Sequence, residues 1–198
     1  MDLERPEQVL SIYLDRGRAL LGVTSARHDA TRSRAATVLS RAEHKLAEAL
    51  GTFGIRTGTG TTAIDLGAAP GGWSYLLAER GVDVMAVDPG ALAPIAASHR
   101  RIKHLPVRAE RLDLGGRGVE LIVNDMNLDP TDSARVMCAV APHLPAGGDA
   151  IMTVKLPQRS PWPGIAAAQT VLRTAYDVLA LRHLPHNRQE VTAHLRRR

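Results

Sequence analysis

From residue 61 onward, short apolar runs alternate with longer segments of helical period. Residues 61–66, 83–88, 104–107, 118–125, 148–155, 178–184 and 191–196 read as strands, and 72–80, 91–98, 131–142 and 164–176 as helices. Several strand runs are apolar at nearly every position, as in Ala150-Ile-Met-Thr-Val154, the profile of strands covered on both faces. Alternating β and α at this spacing predicts an α/β fold: a doubly wound, mostly parallel seven-stranded sheet with helices on both faces. Only a short loop separates the last two strands, which should therefore pair as an antiparallel hairpin at one edge.

The pattern before residue 61 is different. Gln8–Leu14 and Arg18–Val23 flank Asp15-Arg-Gly17 and read as a small β-hairpin. Residues 24–39 are polar and Arg-rich, the profile of a flexible loop. Ser40-Arg-Ala-Glu43 is a capping box, with Ser40 as N-cap and Glu43 three residues on. The helix it opens carries Ala42, Leu46, Ala49, Leu50 and Phe53 on one apolar face, and 54–60 links it to the first strand of the main sheet. We therefore expect a hairpin-and-loop extension over 1–39 and one α/β domain over 40–198.

The junction of the first predicted strand and helix carries the most information. Ala63-Ile-Asp-Leu66 ends a buried strand, and Gly67-Ala-Ala-Pro-Gly-Gly72 is a tight turn of small residues. Trp73–Arg80 is a helix stopped by Gly81. Glycines let a ligand approach the backbone, and the helix start offers free N–H groups. The turn is not the dinucleotide pattern G-x-G-x-x-G, because Ala69 takes the second glycine position and Pro70 stiffens the loop. A rigid turn next to Asp65 suits a ligand with a cationic amino-acid moiety better than a pyrophosphate. Trp73, first after the turn, either packs under that ligand or simply joins helix to sheet.

In an open α/β sheet, ligands bind at the carboxyl ends of the strands. Three acids fall there: Asp65, Asp88 and Asp125. Asp88, about 20 residues past the turn, suits a hold on ribose hydroxyls, or else caps the helix predicted at 91–98. Glu110 follows the third strand and could reach an adenine edge, or could be an ordinary solvated charge.

Composition narrows the class. A chain of 198 residues with 44% hydrophobic content can bury one full core. No apolar run reaches the roughly 18 residues of a membrane span, and Met1-Asp-Leu-Glu-Arg-Pro6 does not read as a signal peptide. The single cysteine, Cys138, excludes an internal disulfide framework and any multi-Cys metal site. It reads as a small hydrophobe within a helix. The eight histidines are scattered, no metal constellation is visible, and His183 and His186 read as surface residues. These features together suit the cytoplasm. The formal charge of +5 suits a polyanionic partner. Arginines cluster at Arg27, Arg32, Arg34 and Arg41, at Arg100, Arg101 and Arg108 beside Lys103, and at Arg196–Arg198. Aromatics are only 3% of the chain, so a nucleic acid would be held mainly by charge and shape.

Lysine is scarce, three among 25 basic residues, which makes each one legible. Lys155 ends the apolar strand Ala150–Lys155 and is hard to explain as part of a solvated face. Lys45 lies on the capped helix, Asp125 ends the strand expected next to that of Lys155, and Glu190 opens the last strand in Asn187-Arg-Gln-Glu-Val-Thr192.

The run Asp65-Leu-Gly-Ala-Ala-Pro-Gly-Gly-Trp-Ser74 resembles the cofactor motif of S-adenosyl-L-methionine-dependent methyltransferases. In its P-G-G-W form it is similar to the FtsJ-like ribose 2′-O-methyltransferases of RNA. The resemblance runs from about residue 8 to the C-terminus. It implies a Rossmann-like fold, S-adenosyl-L-methionine as cofactor and RNA as substrate. The cofactor would be held by Asp65, Gly67, Ala68, Pro70, Gly71, Gly72, Trp73, Asp88, Glu110 and Asp125. The order Lys45, Asp125, Lys155, Glu190 resembles the family's Lys-Asp-Lys-Glu tetrad. A ribose hydroxyl must lose or share its proton to attack a methyl group, and lysines held by carboxylates can serve that need. By analogy Lys155 activates the hydroxyl, Asp125 orients Lys155, and Lys45 and Glu190 position the ribose and the lysine.

Within the family, Ser40-Arg-Ala-Glu-His-Lys45, Lys155-Leu-Pro157 and Arg188-Gln-Glu-Val-Thr192 are most similar to the RlmM type, which acts on bacterial large-subunit ribosomal RNA. That type carries a separate N-terminal RNA-binding THUMP domain, for which 198 residues leave no room. The substrate reading therefore admits a helper RNA-binding protein in its place. Residues 158–164 also depart from the basic segment expected there, and Trp162 within them is either a base-contacting lid or a loop anchor. Two alternatives stay open: the same chemistry on transfer or other RNA, and a catalytically silent RNA-binding or ribosome-assembly factor of the same fold.

Overall fold

The computed structural model describes residues 8–15, 18–25, 42–156 and 161–198. The predicted hairpin turn at 16–17, the basic loop at 26–39 with Arg27, Arg32 and Arg34, Ser40 and Arg41 of the capping box, and 157–160 lie outside the described residues.

The hairpin is present as β1 (Gln8–Asp15) antiparallel to β2 (Arg18–Ser25), in register from Gln8↔Ser25 to Asp15↔Arg18. The main sheet is built from β3 (Thr62–Leu66), β4 (Asp83–Val87), β5 (Ile102–Leu105), β6 (Leu121–Asn124), β7 (Asp149–Lys155), β8 (Tyr176–Arg182) and β9 (Glu190–Arg197). Their order is β5-β4-β3-β6-β7-β9-β8. The first five run parallel, and β9 is antiparallel to both β7 and β8. The expected α/β sheet with its antiparallel edge hairpin is therefore what forms, with β9 placed inside the sheet and β8 at its edge. The strand order reverses between β3 and β6, the switch point at which open α/β sheets leave a crevice.

Two apolar layers cover the sheet. On one face α1 (Ala42–Phe53), α2 (Gly72–Glu79) and the single turn α3 (Pro94–Ala97) bury Leu46, Leu50, Trp73, Leu77 and Ala96 against Ala63, Val84, Val123 and Ile151. On the other, α4 (Pro130–Val140) and α5 (Pro161–Leu172) pack Met137, Ile165 and Leu172 on Ile64, Ile122 and Met152. Leu46, Ala49 and Leu50 recur at i, i+3 and i+4, so α1 turns one stripe inward. Each fully buried leucine there contributes about 1.5–3 kcal/mol. That burial fixes the face on which Lys45, immediately before Leu46 in sequence, can emerge.

Several boundaries differ from the sequence reading. The helix expected at 91–98 is only Pro94–Ala97, since Pro94 favours the first helical turn and Ala93 is the N-cap. Asp88 thus does not cap it. The helix expected from 131 starts at Pro130, with the Asp129 side chain accepting from Thr131 N at 2.8 Å. The helix expected at 164–176 runs Pro161–Leu172, ahead of a strand that starts at Tyr176. Tyr176 is fully buried and donates to Met137 O at 3.1 Å, which pulls that residue into the sheet.

A candidate active site at the strand ends

The turn after β3 is held by the neighbouring strand: Gly67 N and Ala68 N both donate to Val87 O, at 3.0 and 3.3 Å. Gly67 and Gly71 have φ of +75° and +110°, the left-handed region that disfavours a side chain. A Cβ on Gly67 would stand 2.5 Å from Met126 Cγ, and one on Gly71 2.6 Å from Ala96 Cβ. These two glycines are therefore required by packing and backbone shape as well as by any ligand. Pro70 O accepts from Ala93 N at 2.8 Å, which ties the turn to the start of α3. Trp73 is buried in the α1–α2 layer, so it joins helix to sheet.

Asp65 lies under this turn, 1% exposed, accepting from Ser74 Oγ at 2.7 Å. Burial pushes its carboxyl up to about 7, against the opposing pull of the Ser74 hydrogen bond. Asp88 follows β4. Its Oδ2 accepts from Ala69 N at 3.1 Å and its Oδ1 from Gly90 N at 2.7 Å, so it braces the turn directly. Next to it an open pocket of about 560 Å³ is lined by Pro89, Pro106, Val107, Arg108 and Arg111. Glu110 sits exposed in the short 3-10 turn Ala109–Arg111 beyond β5 and does not line that pocket.

Asp125 follows β6 and is positioned by both strand and loop. Its N donates to Leu66 O at 3.3 Å. The buried Asn124 beside it accepts from Met126 N at 2.8 Å and donates to Ser133 Oγ of α4 at 3.1 Å. The carboxylate then meets Lys155 Nζ at 2.6 Å and Lys45 Nζ at 3.1 Å. Glu190 pairs with Lys155 across the β7–β9 register, and its two oxygens lie 2.6 Å from Lys155 Nζ and 2.7 Å from Lys45 Nζ. Lys45, Asp125, Lys155 and Glu190 thus close a four-membered ring of two cations and two anions at the carboxyl end of the sheet. Each carboxylate bridges both ammonium groups. Burial works to raise Asp125, but the charge and hydrogen bond of Lys155, with Lys45 and Thr153, hold it below the usual carboxylate range. Burial likewise works to lower Lys45, and Asp125 and Glu190 together lift it above the usual lysine value.

The four residues named from sequence are therefore brought together. Asp88 joins them through the turn, and Glu110 does not join them. Thr153 was missed: its buried hydroxyl donates to Asp125 Oδ1 at 2.7 Å. It stands two residues before Lys155, on the same side of β7, and the period of a strand was the signal that could have pointed to it. Glu48 was missed as well. Its Oε2 accepts from His186 N at 3.0 Å and pairs with His186 Nδ1 at 2.9 Å, fastening the β8–β9 loop to α1. Trp162 packs against the core in the first turn of α5, which is the anchor reading rather than the lid.

Two relatives and one solved structure bear on this geometry. The chain is 35% identical over 179 residues to the ribosomal RNA large subunit methyltransferase M of Shewanella frigidimarina, an alignment covering 81% of this chain and 48% of that protein. It is 37% identical over 161 residues to the same-named protein of Halorhodospira halophila, covering 80% and 47%. The chain thus spans about half the length of the curated relatives it matches. Its fold is similar to that of the fibrillarin pre-rRNA processing protein of Methanococcus jannaschii, with a TM-score of 0.63 and 15% identity over 95% of this chain and 82% of that one. The model of the FtsJ-like methyltransferase family matches residues 38–143, which include α1 with Lys45, the glycine turn and Asp125. With that match spanning more than half of its length, the chain belongs to the FtsJ-like methyltransferase family.

Proposed function

We propose that this chain is an S-adenosyl-L-methionine-dependent methyltransferase acting on ribose 2′-hydroxyls of RNA, with large-subunit ribosomal RNA as first substrate. The observation that carries the reading is the closed ring of Lys45, Asp125, Lys155 and Glu190 beside the glycine turn. The turn fits the cofactor by its chemistry. Each Asp88 oxygen accepts one backbone N–H and keeps a lone pair for a ribose hydroxyl. The pocket between Pro89 and Arg111 offers room for a base. Asp65, Gly67, Ala68, Pro70, Gly71, Gly72 and Trp73 shape the turn, Asp125 faces the same crevice, and Glu110 stands exposed in the turn that also carries the pocket residue Arg111. When bound, the cofactor supplies an electrophilic methyl group on a sulfonium.

The remaining work falls to the ring. The Lys155 ammonium directs two N–H groups at Asp125 and Glu190, and once it has released its third proton to solvent the lone pair left there is free for the 2′-hydroxyl. We assign Lys155 in that neutral form as the group that takes the hydroxyl proton, and the two carboxylates stabilise the ammonium so re-formed. Lys45 shares those carboxylates and keeps them from collapsing onto Lys155 alone. Residues 40–198 form the methyltransferase unit and 1–39 an appended element. Among the described residues no helix is long and apolar enough to cross a membrane.

The test is transfer of labelled methyl to ribosomal subunits and total RNA by wild type and by Lys155→Ala. Loss of a positioned proton acceptor should lower the rate by about 10²–10⁴-fold. Full transfer by Lys155→Ala would overturn the assignment. Tight cofactor binding by a wild type that labels no RNA would favour the silent assembly factor.

A further inference from the structure

Two imidazoles are close neighbours in the chain of Lys45 and Glu190. His44 precedes Lys45 on α1, and His186 lies four residues before Glu190 in the β8–β9 loop. Their rings stack with centroids 5.3 Å apart and an interplanar angle of 27°, and both residues are exposed. His186 is held by Glu48 through its backbone and its ring, at 3.0 and 2.9 Å. The His44 side chain makes no hydrogen bond or ion pair among the described residues; the stack is its ring contact. The fold does not need His44, yet its ring is kept flat against a partner that is itself fixed.

Elsewhere the described aromatic rings are occupied. Trp73 and Tyr176 are buried, and Trp162 packs on the core. Phe53 stacks on His194 and Tyr75 meets His99 edge-on. A flat, pre-positioned surface next to the ring is thus supplied by histidine, in a chain poor in other aromatics.

We propose that His44 and His186 form a stacking platform for an unpaired nucleobase at the rim of the site, so that the site takes a single-stranded or extruded nucleotide rather than a paired one. Imidazole faces stack on bases, and a base within a helix has no free face to offer. Glu48 fixes the platform before RNA arrives, which lowers the ordering cost of binding. The exposed Arg188 of the same loop lies near enough in sequence to meet the attached backbone phosphate. This inference rests on the reading of RNA as substrate but not on methyl transfer.

The experiment measures binding, without cofactor, of oligoadenylate and of an abasic ribose-phosphate strand of equal length. Wild type should hold oligoadenylate more tightly. His44→Ala should weaken oligoadenylate by about fivefold, the lower end for loss of one stacked base, and leave the abasic strand unchanged. His44→Trp should bind oligoadenylate at least as tightly as wild type. Lys155→Ala, which tests the methyltransferase reading, should keep the preference for bases. Equal weakening of both strands by His44→Ala, or weakening of neither, would overturn the platform.

Discussion

Replacing Thr153 by valine removes one hydroxyl and almost no volume. That hydroxyl is 1% exposed at the residue level and donates to Asp125 Oδ1 at 2.7 Å, the same oxygen that Lys155 meets at 2.6 Å. A hydrogen bond to a charged acceptor contributes about 1.5–3 kcal/mol. Asp125 keeps both lysines in the variant, so the cost should fall near the lower figure, about 1.5 kcal/mol. For a chain of this length that lowers Tm by about 3–6 °C. The catalytic cost arises differently. Without the hydroxyl the carboxylate can rotate, and Lys155 follows it. A penalty of about 1.4 kcal/mol in the transition state is tenfold in kcat. Thermal unfolding and single-turnover methyl transfer at saturating cofactor measure the two effects. Cofactor affinity should stay constant, and Thr153→Ser, which keeps the hydroxyl, should restore the rate. If Thr153→Val matches wild type in both assays, or if the serine variant fails as valine does, Thr153 does not position Asp125.

Two further outcomes follow from the same geometry. Asp65 has a folded pKa raised to about 7 from an ordinary value of 3.8, so the folded state binds the proton more tightly than the unfolded chain does. Stability from this group is fully present below pH ~4 and is lost as pH rises through about 7; denaturant unfolding should show wild type falling against Asp65→Asn by on the order of 3–4 kcal/mol over that window. Gly71→Ala places a Cβ 2.6 Å from Ala96 Cβ at a φ of +110°, and should cost at least about 1–3 kcal/mol and weaken cofactor binding in a titration.

Much of this molecule was legible in its sequence because its signals are local. Strand, small-residue turn and helix at 61–80 declare themselves by period and composition, and the result is β3, the turn and α2. Lys155 was legible because a lysine ending an apolar strand has little reason to be there. Closure of the ring was legible only through the family resemblance, since the pairing of Lys45 with Glu190 depends on α1 and β9 meeting in space. Thr153 was hidden because threonine is an ordinary strand residue, and its partner lies on another strand. Glu48 and His186 were hidden for a related reason: in sequence, a carboxylate on a helix and a loop histidine look like solvated surface until the loop folds back. The helix at 91–98 was overextended because apolar spacing continued where Pro94 fixed the start.

The placement of β9 ties closure of the four-residue ring to a strand that comes after all the other described elements. β9 follows every other described element in the chain, yet it is inserted between β7 and β8 and carries Glu190. A nascent chain ending before Glu190 has β7 as an open edge, and Lys45 and Lys155 share the single carboxylate of Asp125. Such a chain can already possess the turn after β3, and so can engage a small ligand while lacking the means to use it. The four-residue ring therefore closes in one step, when β9 docks between β7 and β8.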